Sequence, residues 1–314
     1  MRTSSPPSSP PSSAPSSGTL TAAYERCRRL HARYGRSYYL ATRLLPAWKR
    51  PHVHALYGFA RYADEIVDSF GVSGDRSRAL ERLASRLTAA LGGEPVRDPV
   101  LPAFAHTVRA FGIDHADVGA FLASMRADLT VRRYATYDDL LGYMEGSAAA
   151  IGTMMLPVLE PLPGEDERAR EPARQLGLGF QLTNFVRDVR EDLARGRIYL
   201  PLADLDKFGV TPADLAAPRA TPAVRDLVAL NCERARDHYR RAWEGIALLA
   251  PSSRPCIRAA YELYGGILDE ITAAGHDVLA RRATVPRGRR LAIFTRNLLA
   301  ARAAAQAERR VGVA

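Results

Sequence analysis

The sequence predicts an all-α protein. Apolar residues recur at three- and four-residue spacing through long windows, and short alternating runs of β-branched residues are almost absent. With 314 residues and 47% hydrophobic content, the chain is long enough to bury a large core. Because no internal repeat and no linker-like segment divides it, we expect one helical domain over residues 19–314.

The N-terminal segment differs in composition from the rest of the chain. Residues 2–18 are almost wholly Ser and Pro, so they offer little to bury against the entropy of ordering a chain. We therefore expect residues 1–18 to form a disordered tail and the folded part to begin near Thr19. The tail has no apolar central region, which excludes a secretory signal, and its single Arg makes it a poor transit peptide.

The predicted helices have recognisable starts and stops. Pro51 opens a helix that runs to about Phe70, GVSGD breaks the chain there, and Gly92 and Gly93 end the next helix. Later, PLPGED and the Pro-containing IYLPLADLDKFGVTPADLAAPRATP interrupt the pattern with a loop and with short turns of helix. The other helices are expected at about 99–111, 114–132, 137–158, 167–194, 221–249, 253–276 and 287–309.

Composition also argues against several classes of protein. No run of about 20 apolar residues exists, so we expect no transmembrane helix. Cys27, Cys232 and Cys256 lack CxxC spacing, and the histidines form no HxxxH pair. These features indicate a protein of the reducing cytosol without a zinc site.

The net charge of +10 is concentrated at the end of the chain, where residues 281–314 hold nine Arg and one Glu. Such a segment is typical of proteins that bind nucleic acid or an anionic membrane. Arg outnumbers Lys 42 to 2 over the whole chain, however, which indicates a general compositional habit. We therefore expect no nucleic-acid partner.

Two predicted helices each carry a stripe of acids on one face. In ALYGFARYADEIVDSF the stripe has spacings of four, three and four and places its two aspartates about 6 Å apart along the axis. The later helix repeats the plan with spacings of three, four and four. The stripes consist of Tyr57, Arg61, Asp64 and Asp68, and of Gln181, Asn184, Asp188 and Asp192.

The alternative is an ordinary solvated helix face, but the charge spacing argues against it. Like charges four residues apart destabilise a helix by about 0.2–0.5 kcal/mol, and an exposed helix usually places a base there. The i+4 partner of Asp188 is Asp192, and that of Asp192 is Gly196. Glu191, by contrast, finds Arg195 and is expected on the outer face, where it should be dispensable.

Paired carboxylates at this spacing indicate binding of hard divalent ions. Mg²⁺ prefers oxygen ligands from one or two carboxylates together with substrate phosphates. Acids repel a diphosphate unless a metal bridges them, and the metal also stabilises the charge on a leaving diphosphate. Arg61 and Arg187 are expected to neutralise the remaining phosphate oxygens. The implied chemistry is ionisation of a diphosphate ester inside an apolar helical bundle.

At these residues the sequence resembles the squalene and phytoene synthase family, the head-to-head prenyl transferases. RYADEIVD resembles the family's first aspartate-rich motif, and NFVRDVREDLARGRIYLP its second. YGRSYYLATRLLP, MRADLTVRRYATYDDLLGYMEGSAAAIG and RPCIRAAYELYGGILDEI stand in the expected order, so the likeness covers roughly residues 20–295. The sequences of these motifs are most similar to those of bacterial phytoene synthases. The segment GSAAAIG is most similar to that of actinobacterial phytoene synthases.

The resemblance implies an isoprenoid-synthase-type helical bundle with a central apolar cavity. It also implies that the Mg²⁺ ligands, which Mn²⁺ could share, are Asp64, Asp68, Asp188 and Asp192, acting with Arg61 and Arg187 in catalysis. The positions matching diphosphate-binding residues of the family are Arg36, Ser37, Tyr57, Tyr264 and Arg287. Those matching residues that line its prenyl channel are Tyr143, Gly152, Gln181 and Asn184.

Four of these positions have a plainer alternative. Tyr57 and Tyr264 also suit core tyrosines with a satisfied hydroxyl group. Gly152 suits close packing of two helices, and Arg287, in a basic segment, suits a solvated charge.

The segment EGSAAAIG departs from the family pattern. Many relatives have an aromatic or aliphatic residue where this chain has Glu145 and Ser147, and Gly where it has Ala149. These positions bear on the shape of the prenyl channel and therefore on the length of the substrate.

The reaction implied is the condensation of two geranylgeranyl diphosphates to phytoene through a cyclopropylcarbinyl (prephytoene) diphosphate, the first step of carotenoid biosynthesis. It needs no NADPH. Alternatives are a farnesyl diphosphate-using synthase of squalene, dehydrosqualene or hydroxysqualene, and a terpene cyclase acting on one prenyl diphosphate. A helical scaffold without catalysis is the alternative from another class.

The sequence also predicts where the protein lies in the cell and how stable its aspartate variants are. We expect a cytoplasmic enzyme, and the Arg-rich helix at about 287–309 would allow peripheral contact with a membrane. Replacing Asp64 or Asp188 with Asn is expected to abolish turnover and to leave thermal stability near or above that of the wild type.

Overall fold

The structure, a computed structural model, describes residues 17–68 and 76–311, with side chains for residues 18–68 and 76–308. Within them the chain forms fifteen α-helices, a π-helical segment (Glu145–Ala149) and a 3-10 turn (Glu244–Leu248). The helices are α1 (Ser17–Tyr34), α2 (Arg36–Thr42), α3 (Arg50–Asp68), α4 (Arg76–Leu91), α5 (Leu101–Phe111), α6 (His115–Ala127), α7 (Tyr137–Met144), α8 (Ala150–Leu159), α9 (Asp166–Arg187), α10 (Val189–Ala194), α11 (Leu202–Phe208), α12 (Pro212–Leu215), α13 (Pro222–Trp243), α14 (Arg254–Ala273) and α15 (Arg287–Val311).

The all-α prediction is confirmed, and the described residues contain no β-strand. The Ser/Pro tail up to residue 16, and the predicted helix end at Phe70 with the break GVSGD, lie outside the described residues. The first described helix begins at Ser17, two residues before the predicted start of the fold.

Several predicted boundaries were wrong. The helix expected at 114–132 ends at Ala127, because the chain after it turns towards an isolated bridge between Arg133 and Ile198. The helix expected at 137–158 contains the π segment, and the end of the helix expected at 221–249 tightens into the 3-10 turn. The helix expected at 167–194 is interrupted at Asp188.

The interruption at Asp188 reorients neighbouring side chains. Its φ of −105° and ψ of 18° are not helical, although backbone hydrogen bonds from Asp188 to Asn184 and from Asp192 to Asp188 continue across it. Adjacent side chains do not face each other on a regular helix. Here Arg187 nonetheless holds both carboxylate oxygens of Asp188, an arrangement that the break makes accessible.

Helix α9 occupies a central position, since it packs against α8, α13, α14 and the π segment. Two clusters of buried apolar side chains meet along it. One includes residues of α1, α3, α4, α5 and α6, and the other residues of α7, α10, α13 and α14. Phe180 of α9 packs against both clusters, so the two clusters form one continuous core.

Two further observations concern the chain as a whole. Among the described helices, none combines the length and the apolar character needed to cross a lipid bilayer. Cys27, Cys232 and Cys256 are all buried and carry free thiols.

Candidate active site

The two acidic stripes line one cavity. It has a volume of about 790 Å³, and its wall contains all four carboxylates predicted to bind metal. Asp64 and Asp68 come from α3, Asp188 lies at the break between α9 and α10, and Asp192 lies on α10. The cavity therefore lies between the helices that carry the two aspartate-rich motifs.

Arginines hold the first aspartate pair. Arg61 donates to Asp64 at 2.5 Å, one turn along the same helix. Asp68 instead pairs with Arg197 at 2.9 Å, across 129 positions in sequence, and with Arg195 at 3.8 Å. The Arg197 side chain is only 8% exposed, so this second contact is largely shielded from water.

The second pair is asymmetric. Both oxygens of Asp188 accept from Arg187 at 2.5–2.7 Å and from Arg282 at 2.8–3.1 Å. No cation of the described part of the chain lies within ion-pair distance of Asp192. One carboxylate is thus clamped by two guanidinium groups, and its neighbour one turn away is unpaired.

The pKa values reflect this asymmetry. Burial, together with the charge of Asp188, raises the pKa of Asp192 to about 7. Burial and the charge of Asp68 raise the pKa of Asp64 to about 6. Burial acts in the same direction on Asp188, but the hydrogen bonds and charges of Arg187 and Arg282 outweigh it and hold that pKa below its usual value.

The donor set fits a hard divalent ion. All four predicted ligands offer carboxylate oxygens, and the Oδ1 atom of Asn184 on the same wall is buried without a hydrogen-bond partner. In the described residues no three acidic, His or Cys side chains converge on one point. Carboxylates arranged in pairs suit an ion that takes one or two of them and completes its shell with water and substrate phosphate.

The other predicted site residues divide into three groups. Seven of them line the same cavity as the aspartates: Arg36, Ser37, Tyr57, Tyr143, Gln181, Asn184 and Tyr264. Gly152 lines a neighbouring apolar cavity, where a Cβ atom would overlap the carbonyl oxygen of Ala173, so its packing role is real as well. Arg287 is exposed and is not on the wall of either cavity, whereas Arg290, one turn on, lines the larger one.

The neighbouring cavity, of about 260 Å³, is walled mostly by apolar side chains, which come mainly from α2, α3, α8, α9, α14 and the 3-10 turn. It shares six wall residues with the larger cavity, namely Tyr38, Tyr57, Ala60, Ser147, Ile151 and Gln181. At this junction Tyr38 stacks on Tyr264 with ring centroids 4.4 Å apart. The cavity that carries the aspartates therefore opens directly into the cavity with apolar walls.

Sequence reasoning missed six charged residues of the wall: Arg33, Asp128, Arg195, Arg197, Arg282 and Arg290. Asp128 and Arg197 belong to stretches that carry the family resemblance, MRADL and RGRIYLP, but neither has helical spacing to an aspartate. Arg282 lies between α14 and α15 in a basic segment, where only its contact with Asp188 distinguishes it from solvated arginines.

Comparison with known proteins agrees with this geometry. A family model described as squalene/phytoene synthase matches residues 31–289. The chain belongs to the squalene/phytoene synthase family. The phytoene synthase of Arthrospira platensis is 38% identical over 278 residues, which are 85% of this chain and 90% of that protein. The 15-cis-phytoene synthase of Synechococcus elongatus is 34% identical over 282 residues, 87% and 91% of the two chains.

Solved structures of squalene/phytoene synthase relatives share the fold. A dehydrosqualene synthase crystallised with a ligand matches with a TM-score of 0.81 and 27% identity, over 89% of this chain and 96% of the other. A squalene synthase from Alicyclobacillus acidocaldarius matches with a TM-score of 0.74 and 28% identity, over 82% and 98%. These neighbours confirm the predicted isoprenoid-synthase helical fold. The squalene/phytoene synthase family uses divalent metal to bind prenyl diphosphates.

The structure also locates the departure from the squalene/phytoene synthase pattern. Glu145 is not on either cavity wall, because its carboxylate pairs with Arg174 of α9 at 2.5–2.8 Å. Ser147, two residues on in the π segment, lines both cavities, and its hydroxyl is buried without a partner. Of the two unusual polar residues, only Ser147 therefore reaches the channel.

Proposed function

We propose that this chain condenses two geranylgeranyl diphosphates to 15-cis-phytoene through a cyclopropylcarbinyl diphosphate. The observation that carries the proposal is the junction between a cavity with two aspartate pairs and a cavity with an apolar wall. A prenyl diphosphate has the same division, with a charged head and a long hydrocarbon tail. The phytoene synthases at 34–38% identity favour the C20 substrate.

The aspartates act as acceptors for metal. Asp64 and Asp68 would hold ions on one side of the cavity, and Asp188 and Asp192 on the other. When bound, Mg²⁺ or Mn²⁺ supplies the positive charge that a departing diphosphate needs.

The arginines act on the diphosphate itself. Arg61, Arg187, Arg197 and Arg282 are each bound to an aspartate of the site. With metal held by those aspartates, the guanidinium groups would be free to bind phosphate oxygens, for which their bidentate geometry is suited. Arg36 and Ser37, on the same wall, are proposed to complete the diphosphate site.

The apolar and aromatic walls protect the carbocations. Ionisation leaves an allylic cation, which the double bond of the second substrate must reach before water does. On one side of the polar cavity Phe185 and Tyr199 stack with ring centroids 3.9 Å apart, and Tyr143 lies 6.0 Å from Tyr199. Aromatic faces attract cations without reacting with them, so this wall suits the intermediates.

One assay tests the proposal. The purified protein is incubated with Mg²⁺ and either C15 or C20 diphosphate, with and without NADPH, and the hydrocarbon is identified by chromatography and mass spectrometry. We expect 15-cis-phytoene from the C20 substrate without NADPH. A C30 product from the C15 substrate alone would reassign the chain to the squalene or dehydrosqualene group, which its structural neighbours represent. No turnover of either substrate would overturn the enzyme proposal.

We also propose peripheral contact of a cytoplasmic enzyme with an anionic membrane, and no nucleic-acid partner. Leu291 and Leu299 lie two turns apart on one face of α15 and are 66% and 61% exposed. Arginines flank them, which favours an anionic lipid surface. Sedimentation with vesicles containing anionic lipid should fall when Leu291 and Leu299 are both changed to Asp. Equal binding to neutral vesicles, or to DNA, would contradict this proposal.

A further inference from the structure

Asp128 is a fifth acid of the site, and it lies on the wall of the same cavity as the four aspartates. It follows the last residue of α6 and is only 4% exposed. Its Oδ2 atom accepts a hydrogen bond from the hydroxyl of Tyr143 at 2.8 Å, and its Oδ1 atom is buried without a partner. Among the described residues, no Arg, Lys or His side chain forms an ion pair with this carboxylate.

Such an environment is costly for a carboxylate. A buried charge is normally compensated by an ion pair or by several hydrogen bonds, and Asp128 has one neutral donor. Burial raises its pKa to about 6, although the hydrogen bond from Tyr143 acts in the opposite direction. Above that pH the group remains an anion that binds a proton more readily than an exposed aspartate does.

Tyr143 connects this carboxylate to the reaction space. It lies on α7, directly before the π segment, and lines the cavity that contains the four aspartates. Its ring packs against Tyr134 and Tyr199, with centroids 5.1 and 6.0 Å away. Because its hydroxyl hydrogen points to Asp128, its oxygen retains the capacity to accept a proton.

We propose that Asp128 is a positioning residue of the condensation, which holds the Tyr143 oxygen ready to accept the proton that the last carbocation loses. This inference rests on the proposed function, since only a reaction that ends in proton loss from a cation needs such an acceptor. Asp128 acts through Tyr143, whose hydroxyl group it holds at 2.8 Å.

The step balances as follows. A C–H bond next to the cationic carbon breaks, and its electron pair forms the central double bond. The proton goes to the Tyr143 oxygen while the original hydroxyl proton passes to Oδ2 of Asp128. A cation and a carboxylate become a neutral alkene and a carboxylic acid. The acid then returns its proton to water when product leaves, because its pKa of about 6 lies below neutral pH.

The test compares Asp128→Asn, Tyr143→Phe and the double variant in the Mg²⁺ assay with the C20 substrate, measuring both phytoene and released diphosphate. Each single change should lower kcat for phytoene by about 100-fold or more, the usual scale of a general base, with KM changed less than about threefold. Diphosphate released per phytoene should rise above the two of the wild type, because cations that cannot lose their proton are captured by water. The double variant should be no slower than the slower single variant, since the two residues act as one unit.

Asp117→Asn is the matched control. Asp117 lies on the same helix, is also buried, and pairs with Arg170 at 2.9 Å outside both cavities. It should alter thermal stability while leaving the diphosphate-to-phytoene ratio at the wild-type value. If Asp128→Asn does not fold, Tyr143→Phe decides alone, because it removes only a hydroxyl group and keeps the ring packing.

Two results would overturn the inference. One is a kcat for Asp128→Asn or Tyr143→Phe within threefold of the wild type at an unchanged product ratio. The other is additive losses in the double variant, which would mean that the two residues act separately. In both cases phytoene from the wild-type protein would leave the proposed function standing, whereas a wild type that makes no phytoene would remove the function and this inference together.

Discussion

At the scale of single residues, the aspartates of the larger cavity differ in how far the fold stabilises their ionised form. Asp188 is stabilised as an anion by two arginines, whereas Asp192 has no ion pair among the described residues and feels the negative charge of Asp188. The ionised form of Asp192 therefore destabilises the metal-free fold. In the proposed function the same charge binds metal, so the metal-free site carries a cost that the proposed ligand would relieve.

Asp192→Asn should raise the stability of the metal-free protein while abolishing turnover. The folded pKa of about 7 lies above the unfolded value, so at pH 8 both states are ionised and the fold bears the full cost of the charge. As pH falls through 7 towards 4, the folded wild type takes up the proton first and becomes more stable. The Tm gain of the variant, about 2–4 °C for about 1 kcal/mol, should thus be largest at pH 8 and shrink in acid.

Asp188→Asn should have the opposite effect on stability. The change removes one partner of two bidentate contacts and leaves Arg187, whose side chain is 12% exposed, without its carboxylate. This differs from the sequence-based expectation that either Asp64→Asn or Asp188→Asn leaves stability near or above the wild type. Thermal unfolding of Asp188→Asn and Asp192→Asn in chelator at pH 8 measures the difference, and equal shifts of one sign would contradict the assigned pairing.

Glu191 lies outside the cavity, as expected, but its ion-pair partner differs from the one that the spacing predicted. The spacing paired it with Arg195, but Arg195 lies 3.8 Å from Asp68, and Glu191 lies 3.7 Å from Arg282. Its side chain is 46% exposed and is not on the cavity wall. Glu191→Gln should therefore keep kcat/KM within about threefold of the wild type, because an exposed ion pair contributes only about 0–1 kcal/mol. A loss comparable to that of Asp192→Asn in the same assay would contradict this.

At the scale of elements, the sequence predicts helices well and their irregularities poorly. Apolar periodicity and turn residues indicate α3, α5 and α9 because those signals are local. Asp188 at the break contacts Arg282, which lies 94 positions away, and the π segment packs against α6 and α9. No local pattern contains that information, so the boundaries were wrong where tertiary contacts decide them.

The π segment is held by close backbone contact. A Cβ atom on Gly177 of α9 would overlap the carbonyl oxygen of Ala148, which follows the channel residue Ser147. Gly177→Ala should therefore lower the free energy of unfolding by about 1–3 kcal/mol, the usual cost of overpacking, and should lower kcat by displacing Ser147. Urea unfolding and the C20 assay measure the two effects.

Gly142→Ala is the control for that change. Gly142 lies on α7 close to the same segment, and a Cβ atom there would meet nothing within 4 Å. The change should stabilise the protein by about 0.4–1 kcal/mol, because Ala loses less conformational freedom on folding. If both variants shifted the urea midpoint equally, the contact between α9 and the π segment would not be limiting.

At the scale of the whole molecule, the site is assembled from distant parts of the chain. The two aspartate stripes could be predicted because each lies on one helix, where spacing determines which side chains share a face. Arg197 and Asp128 could not, because they approach the cavity from segments without helical spacing to it. The charged residues that surround the aspartates could therefore not be predicted from the sequence, although they determine how the site responds to its ligands.

If metal and diphosphate bind as proposed, the counter-charges should make their binding mutually dependent. Three of the four aspartates are bound to arginines. Metal binding alone would displace the guanidinium groups from the aspartates and leave those groups without a counter-charge. Diphosphate binding alone would draw the guanidinium groups away and leave the aspartates without a counter-charge. When both bind, every charge is compensated. The two ligands should therefore bind with a positive coupling free energy.

Thermal unfolding with inorganic diphosphate, Mg²⁺, or both tests this coupling. At about 100 times the dissociation constant a ligand stabilises the fold by about 2.7 kcal/mol, and we expect that scale only when both are present, with smaller shifts for either alone. Arg282→Ala should reduce the combined shift, because Arg282 belongs to the exchange at Asp188. Arg168→Ala is the matched control, since Arg168 is 71% exposed, pairs only with Glu165 among the described contacts, and lines neither cavity. A combined shift equal to the sum of the separate shifts would show that the arginine pairs are not exchanged on binding.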